Sequence, residues 1–220
     1  VPSARASVTP PQIGPLRFGD LESATSADLV RNADLEGARY DDVVVSQLDL
    51  SGARLDHVQV VGLSADEADL RGGRLIEVEL DRVDLTVVRA ARSDWRDVRV
   101  TGRIGSFEAY EAQWRSVHFV GCKLSFVNLR GAGLLDVAFT DCIIEELDLL
   151  SAVVRRVGLT DTRVGHLSVR DSELQDLDLR GATLASIDGV LHLRGATISP
   201  GQLDVLAPVM AESLGLNIEA

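Results

Sequence analysis

Ala33-Asp34-Leu35-Glu36-Gly37-Ala38-Arg39-Tyr40-Asp41-Asp42-Val43-Val44-Val45-Ser46-Gln47-Leu48-Asp49-Leu50 is the stretch that decides how this chain folds. Counted in fives, the centres Leu35, Tyr40, Val45 and Leu50 are apolar. Two residues before each stands a second uncharged side chain: Ala33, Ala38, Val43 and Leu48. Working outward, the beat continues through Leu55, Val60, Ala65 and Leu70 to Trp95 and Val100. One step of four, from Val100 to Ile104, shifts the phase, and the period resumes through Ala109, Trp114, Phe119 and Leu124 to Gly189. A second four-residue step reaches Leu193, and Ile198 closes the series. No centre is charged, and neither is any residue two before a centre. The two sets make about 68 positions, which chance would leave uncharged at roughly one in 10⁸ in a chain that is 25% charged.

Five is not a helical period. At about 100° per residue, steps of five scatter around an α-helix instead of lining one face. The pattern reads in-out-in-out-out. Alternation over three residues is a short extended segment with two side chains inward. The two outer residues that follow are rich in Gly, Asp, Ser and Arg, which suits a turn. A three-residue strand cannot stand alone, so successive segments must coil and stack, burying both inward positions against neighbouring coils.

Length and composition suit one packed domain or at most two. The 220 residues are 45% apolar with a mean hydropathy of +0.11, enough to bury a sizeable core and too apolar for disorder. No uninterrupted apolar run approaches the ~20 residues of a bilayer span. Val1 to Thr9 lack a basic stretch followed by an apolar one, so no signal peptide is expected. Two cysteines are too few for a disulfide scaffold and suit a reducing, cytoplasmic compartment.

The strict triplets Ala27-Asp28-Leu29, Ala33-Asp34-Leu35 and Ala68-Asp69-Leu70 resemble the motif of the pentapeptide-repeat family: a small residue, Asp or Asn, Leu, then two free positions. Relaxed forms include Gly52-Ala53-Arg54-Leu55, Arg130-Gly131-Ala132-Gly133-Leu134, Arg180-Gly181-Ala182-Thr183-Leu184 and Arg194-Gly195-Ala196-Thr197-Ile198. Many positions two before a centre carry Val or Leu instead of Ala or Cys, a departure from a uniform square tube. The resemblance covers roughly Ala27 to Ser199 and implies an all-β fold, a right-handed quadrilateral parallel β-helix with four pentapeptides per coil. Three segments follow: 1–26, an N-terminal tail or irregular cap containing Pro10, Pro11 and Pro15; 27–198, the β-helix; and 199–220, a helical cap. In the last, Ser199-Pro200 reads as an N-cap with a first-turn proline. Leu203, Leu206, Met210 and Leu214 recur at helical spacing, and Pro208 argues for a kink or two short helices. An open coil end must be covered, and the family implies that this end also pairs two copies as a homodimer.

Four faces imply that residues about 20 apart stack. Cys122 and Cys142 should therefore be neighbours. Stacked Cβ vectors lie slightly beyond disulfide geometry and no third ligand is near, so they read as small buried thiols, neither a bond nor a metal pair. Trp95 and Trp114 should stack across the first phase slip. With Phe107, Gly102 and Gly105, they mark a distorted coil between about Val100 and Trp114. Such a deletion is either a binding feature or, more commonly, one altered turn with a repacked interior.

Charge lies at the outer positions. The chain carries 34 Asp and Glu against 22 Lys and Arg, a net charge of −12. On the fourth face one column holds Asp49, Asp69, Glu108, Asp148 and Asp188, broken by Arg89, Asn128 and Ser168. About 8.5 coils at ~4.8 Å make a rod of ~40 Å, so the net charge is roughly one per 3.5 Å against one per ~1.7 Å in B-DNA. The column is either a partner-binding surface or a solvated face that keeps stacked repeats soluble.

Catalysis has little support. His57, His118, His166 and His192 are scattered with no metal spacing, and Lys123 is the only lysine, so no phosphate loop exists. No long insertion walls off a pocket, and arginines alternate with acids instead of forming a basic nucleic-acid surface. No enzyme activity, metal or cofactor is expected, and no nucleic-acid or membrane binding. The family includes quinolone-resistance proteins that resemble duplex DNA and engage DNA gyrase, so the resemblance implies a protein partner, with a type II topoisomerase first. The plasmid-borne members carry projecting loops. None of comparable length interrupts this repeat, so a compact, loop-free member is the closer comparison. The alternative is a passive scaffolding domain with no DNA-mimic target.

Overall fold

The computed structural model describes residues 7–216. Its strands are parallel throughout and wind as a four-sided solenoid of about 9 turns, followed by one helix. Centres stack on centres. One face runs Leu35, Leu55, Leu75, Trp95, Trp114, Leu134, Val154, Leu174, each opposite the next in register. Every centre from Tyr40 to Val169 except Val45 is buried, so the five-beat pattern sets the interior.

The corners explain the two outer residues. At three of the four, the residue two after a centre takes a left-handed conformation, as in Asp97 (φ 53°), Asp141 (φ 54°) and Glu111 (φ 56°). Asp, Asn and Gly tolerate this region best, which is why they crowd those positions.

The first phase slip occupies one corner. Leu80 pairs with Val100, but Val83 pairs with Gly102, so Asp81 and Arg82 face Thr101 alone. The Thr101 hydroxyl accepts the Arg82 amide (2.7 Å) and donates to Asp81 Oδ1 (2.6 Å). Gly102 sits at φ 116°, and a Cβ there would lie 2.1 Å from the Val83 carbonyl oxygen. The distortion is thus confined to the corner and does not extend to Trp114, because the next strands regain register at once. Above it the interior turns aromatic. Trp95 and Trp114 stack with centroids 5.2 Å apart, Phe107 packs 5.5 and 5.6 Å from them, and Phe119 stacks on Phe139 at 5.0 Å. Such pairs add ~0.5–1.5 kcal/mol each beyond area burial.

The second slip differs from its sequence reading. Residues Val190–His192 form a 3₁₀ turn, and Leu191, two before Leu193, is 66% exposed. The beat ends at Ile187; only Ala196–Thr197 still pairs, opposite Leu177 and Asp178.

The described parts of both terminal segments pack on the rod. The described part of segment 1–26 runs along the outside from the last coils to the first. The Thr9 amide bonds Asp176 (3.1 Å), Pro11 lies over Gly158, the Gln12 amide bonds Asp136 (2.8 Å), and 13–18 border a cleft opposite Glu79, Arg99 and His118. Glu22–Ser23 then pairs with Ala38–Asp41, and a 3₁₀ turn at Ser26–Asp28 precedes the buried Leu29. At the other end, Pro200–Ser213 is one continuous helix through Pro208, not two short ones. Ser199 and Gln202 form a capping box, and Gln202 Nε2 also donates to the Ala182 carbonyl at 2.7 Å, tying the helix to the last coils. Residues 1–6 and 217–220 of the two terminal segments lie outside the described residues.

Candidate partner-binding surface

The acidic column forms in register: Asp49 opposite Asp69, then Arg89, Glu108, Asn128, Asp148, Ser168 and Asp188. The backbone of these residues carries a ladder of its own, in which the Asp69, Glu108, Asp148 and Asp188 carbonyls accept the Leu50, Ala90, Leu129 and Val169 amides at 2.8, 2.8, 2.8 and 3.0 Å.

The side chains do something the spacing did not reveal. Four of the five Asp and Asn residues in this column accept the amide two residues on, closing the turn that leaves the face; Asp188 does not. Asp49 takes Ser51 N (3.0 Å), Asp69 takes Arg71 N (3.0 Å), Asn128 takes Arg130 N (3.2 Å) and Asp148 takes Leu150 N (2.9 Å). These are Asx turns. Asp178 repeats the bond on the opposite face with Arg180 N (3.1 Å). Arginines then occupy what remains. Arg71 clasps Asp69, Arg130 Nε reaches Asp148 (2.6 Å) and Arg170 Nε reaches Asp188 (2.9 Å). The hydrogen bonds from Arg71 hold the Asp69 carboxyl below its usual range, against the pull of burial; those from Ser51 do the same for the exposed Asp49.

Asp148 therefore cannot serve a partner as its place in the column suggested. It is 2% exposed, with Arg130 and the Leu150 amide on its oxygens. Asp49 is exposed, Asp188 keeps 41% of its side chain in solvent, and Glu108 is half-buried without an arginine among the described residues. The signal for the turn role was present in the repeated Asp-Leu-Ser-Gly, Asp-Leu-Arg-Gly and Asn-Leu-Arg-Gly at 49–52, 69–72 and 128–131.

The C-terminal quartet also divides. Leu206 is buried and Met210 half-buried against the solenoid, so these two hold the helix down, while Leu203 (49%) and Leu214 (65%) face outward. Cys122 and Cys142 are adjacent, buried and unbonded; the hydrogen bond with Cys142, and then burial, push the Cys122 thiol up. The histidines lie far apart. His57 sits between Asp56 (2.6 Å) and Glu77 (3.0 Å), and its pKa is raised chiefly by the bond to Asp56; His118 bonds Thr140 (2.9 Å), and burial lowers its pKa. Among the described residues no three His, Cys, Asp or Glu gather as a metal site, and no helix is long and apolar enough to cross a membrane.

Residues 112–188 match the model of the pentapeptide repeat region, so the likeness carried by the sequence motif extends to the family's own pattern. No curated protein matches the chain. Among solved structures, a trypsin-treated QnrB1, a plasmid-mediated fluoroquinolone resistance protein, aligns at 19% identity over 86% of this chain and 91% of that one, with a TM-score of 0.32. HetL, a pentapeptide repeat protein involved in heterocyst differentiation regulation in the cyanobacterium Nostoc sp., aligns at 18% identity over 77% and 91%, with a TM-score of 0.32.

Proposed function

We propose that the chain is a non-catalytic, protein-binding rod of the cytoplasm, whose net negative surface engages a protein that ordinarily binds DNA. DNA gyrase, a type II topoisomerase, is the first partner to test. The supporting observation is the distribution of charge: a stiff solenoid whose interior is filled by apolar and aromatic residues turns its charged side chains outward, in a chain with a net charge of −12. The rod works without cofactor or metal and binds neither nucleic acid nor membrane. Contact falls on the acids that remain accessible, Asp49, Glu108 and Asp188. Asp69 and Asp148 shape the turns behind them.

Purified protein titrated into a gyrase supercoiling assay tests this: inhibition or protection at micromolar concentration is expected, and its absence removes the reading. Charge reversal at Asp49, Glu108 and Asp188 should weaken the effect while the strand signal in circular dichroism is retained, with only a modest fall in melting temperature from the lost Ser51 and Arg170 bonds. A second reading, passive scaffolding, draws support from the turn role of the column and is what remains if gyrase is unaffected. We also propose that two copies pair through the outward Leu203 and Leu214. Leu203→Asp with Leu214→Asp should halve the mass measured by light scattering, and an unchanged mass counts against that contact.

A further inference from the structure

On a different face, a register column that begins with Glu36 and Asp56 turns positive further along the rod. Arg96 and Arg115 stand directly opposite one another on adjacent coils, and Arg155 follows two coils on, with Leu135 between them. The three line one cleft of about 490 Å³. It opens because Gly133, flanked in register by Gln113 and Val153, has no side chain; the Gln113 amide leans into the vacated space, where its Oε1 would lie 2.3 Å from an added Cβ. Trp114 and Leu135 lie along its floor.

Many arginines elsewhere are matched to acids, and those among the described residues that are not, such as Arg99 and Arg163, do not share a cleft with a second unpaired arginine directly opposite in register. Arg54 bonds Asp34 and Asp56, Arg92 bonds Glu111, Arg156 bonds Asp136 and Arg180 bonds Asp178. Arg96, Arg115 and Arg155 make no such pair among the described residues. The acid at the rim, Asp94, lies toward Arg74 at 3.8 Å. Like charges opposite each other in a sheet are unfavourable. A protein rich in carboxylates that leaves three guanidinium groups unpaired around a dent has a local conflict of the kind that marks a functional site.

We infer that the cleft over Gly133 binds a compact polyanion of the diphosphate class, with phosphoryl oxygens on Arg96 and Arg115 and any uncharged portion seated over Gly133 toward Arg155. Guanidinium groups grip phosphate oxygens in pairs, and the coil spacing of ~4.8 Å sets neighbouring arginines within reach of linked phosphoryl groups. This site is independent of the acidic surface and of gyrase binding.

The test is titration of the full chain with inorganic pyrophosphate and, separately, adenosine diphosphate, read by calorimetry and by tryptophan fluorescence, since Trp114 borders the cleft. Saturable binding at one site per chain is expected, weakened at least ten-fold in Arg96→Gln/Arg115→Gln. Both arginines are exposed, so that variant should melt no lower than the parent, and the ligand should raise the melting temperature of the parent alone. Equal affinities for the two probes assign the free anion. Tighter adenosine diphosphate binding, lost in Gly133→Val, assigns an organic phosphate. No saturable binding of either probe at millimolar concentration, or undiminished binding in the arginine variant, overturns the inference.

Discussion

Two charged columns climb this solenoid, and they treat their charge in opposite ways. In the acidic one, Asp49, Asp69 and Asp148 each accept a backbone amide two residues on, and Arg71, Arg130 and Arg170 cover Asp69, Asp148 and Asp188. In the basic one, Arg96, Arg115 and Arg155 close no turn and bond no acid among the described residues. A stacked repeat places identical positions one coil apart, so any charge it repeats must be neutralised, diluted or left for something outside. The difference teaches that a charged column in a solenoid reports function only after its local turn chemistry has been subtracted.

Acid should separate the two columns most strongly. Arg71 holds Asp69 below the usual carboxylate range, and Arg180 does the same for Asp178 on the opposite face. A depressed folded-state pKa contributes stability above the unfolded value of about 3.9 and loses it as pH falls through the folded value. Stability measured by denaturant titration should therefore hold from neutrality to about pH 5 and decline below about pH 4, while the arginine column contributes nothing to that slope. A flat profile to pH 2 would mean that the turn pairs are energetically idle.

Asp148→Ala comes next. It removes an acceptor that is 2% exposed and serves both Arg130 and the Leu150 amide, so it should cost about 2 kcal/mol. The same replacement at the exposed Asp49 should cost clearly less, because water can take over its bonds. Equal losses at the two sites would erase the distinction between turn-maker and surface acid. Smallest of all, Arg115→Gln should leave the unfolding free energy unchanged or raise it by at most about 0.5 kcal/mol, by relieving its repulsion with Arg96. A clear loss in that variant would show that the guanidinium already has a partner within the fold.

Much of this was legible in the sequence. The register of Trp95 on Trp114, of Cys122 beside Cys142 and of the whole acidic column followed from counting, because a parallel solenoid converts a fixed sequence interval into a fixed position in space. What escaped had other causes. Leu191 keeps the apolar character of an inward position but sits on a 3₁₀ turn that abandons the beat. The strap at 7–21 has no period, and its place is set by single contacts such as Pro11 on Gly158 and Gln12 on Asp136. At Asp136, burial pushes the carboxyl up, and bonds from Arg156 and the Gln12 amide more than offset that. The Asx turns were written in Asp-Leu-Arg-Gly and its variants, but the same letters also spell an exposed acid.

The amino-acid order alone determined which side chains face the interior and how far apart in the chain stacked neighbours lie, since burial of two uncharged residues in every five leaves the backbone one economical way to coil. The tertiary structure alone decided which of the outward charges are spent within the molecule. That choice depends on whether an amide or a guanidinium lies within hydrogen-bonding reach, a matter of a few ångströms across coils that no single segment encodes.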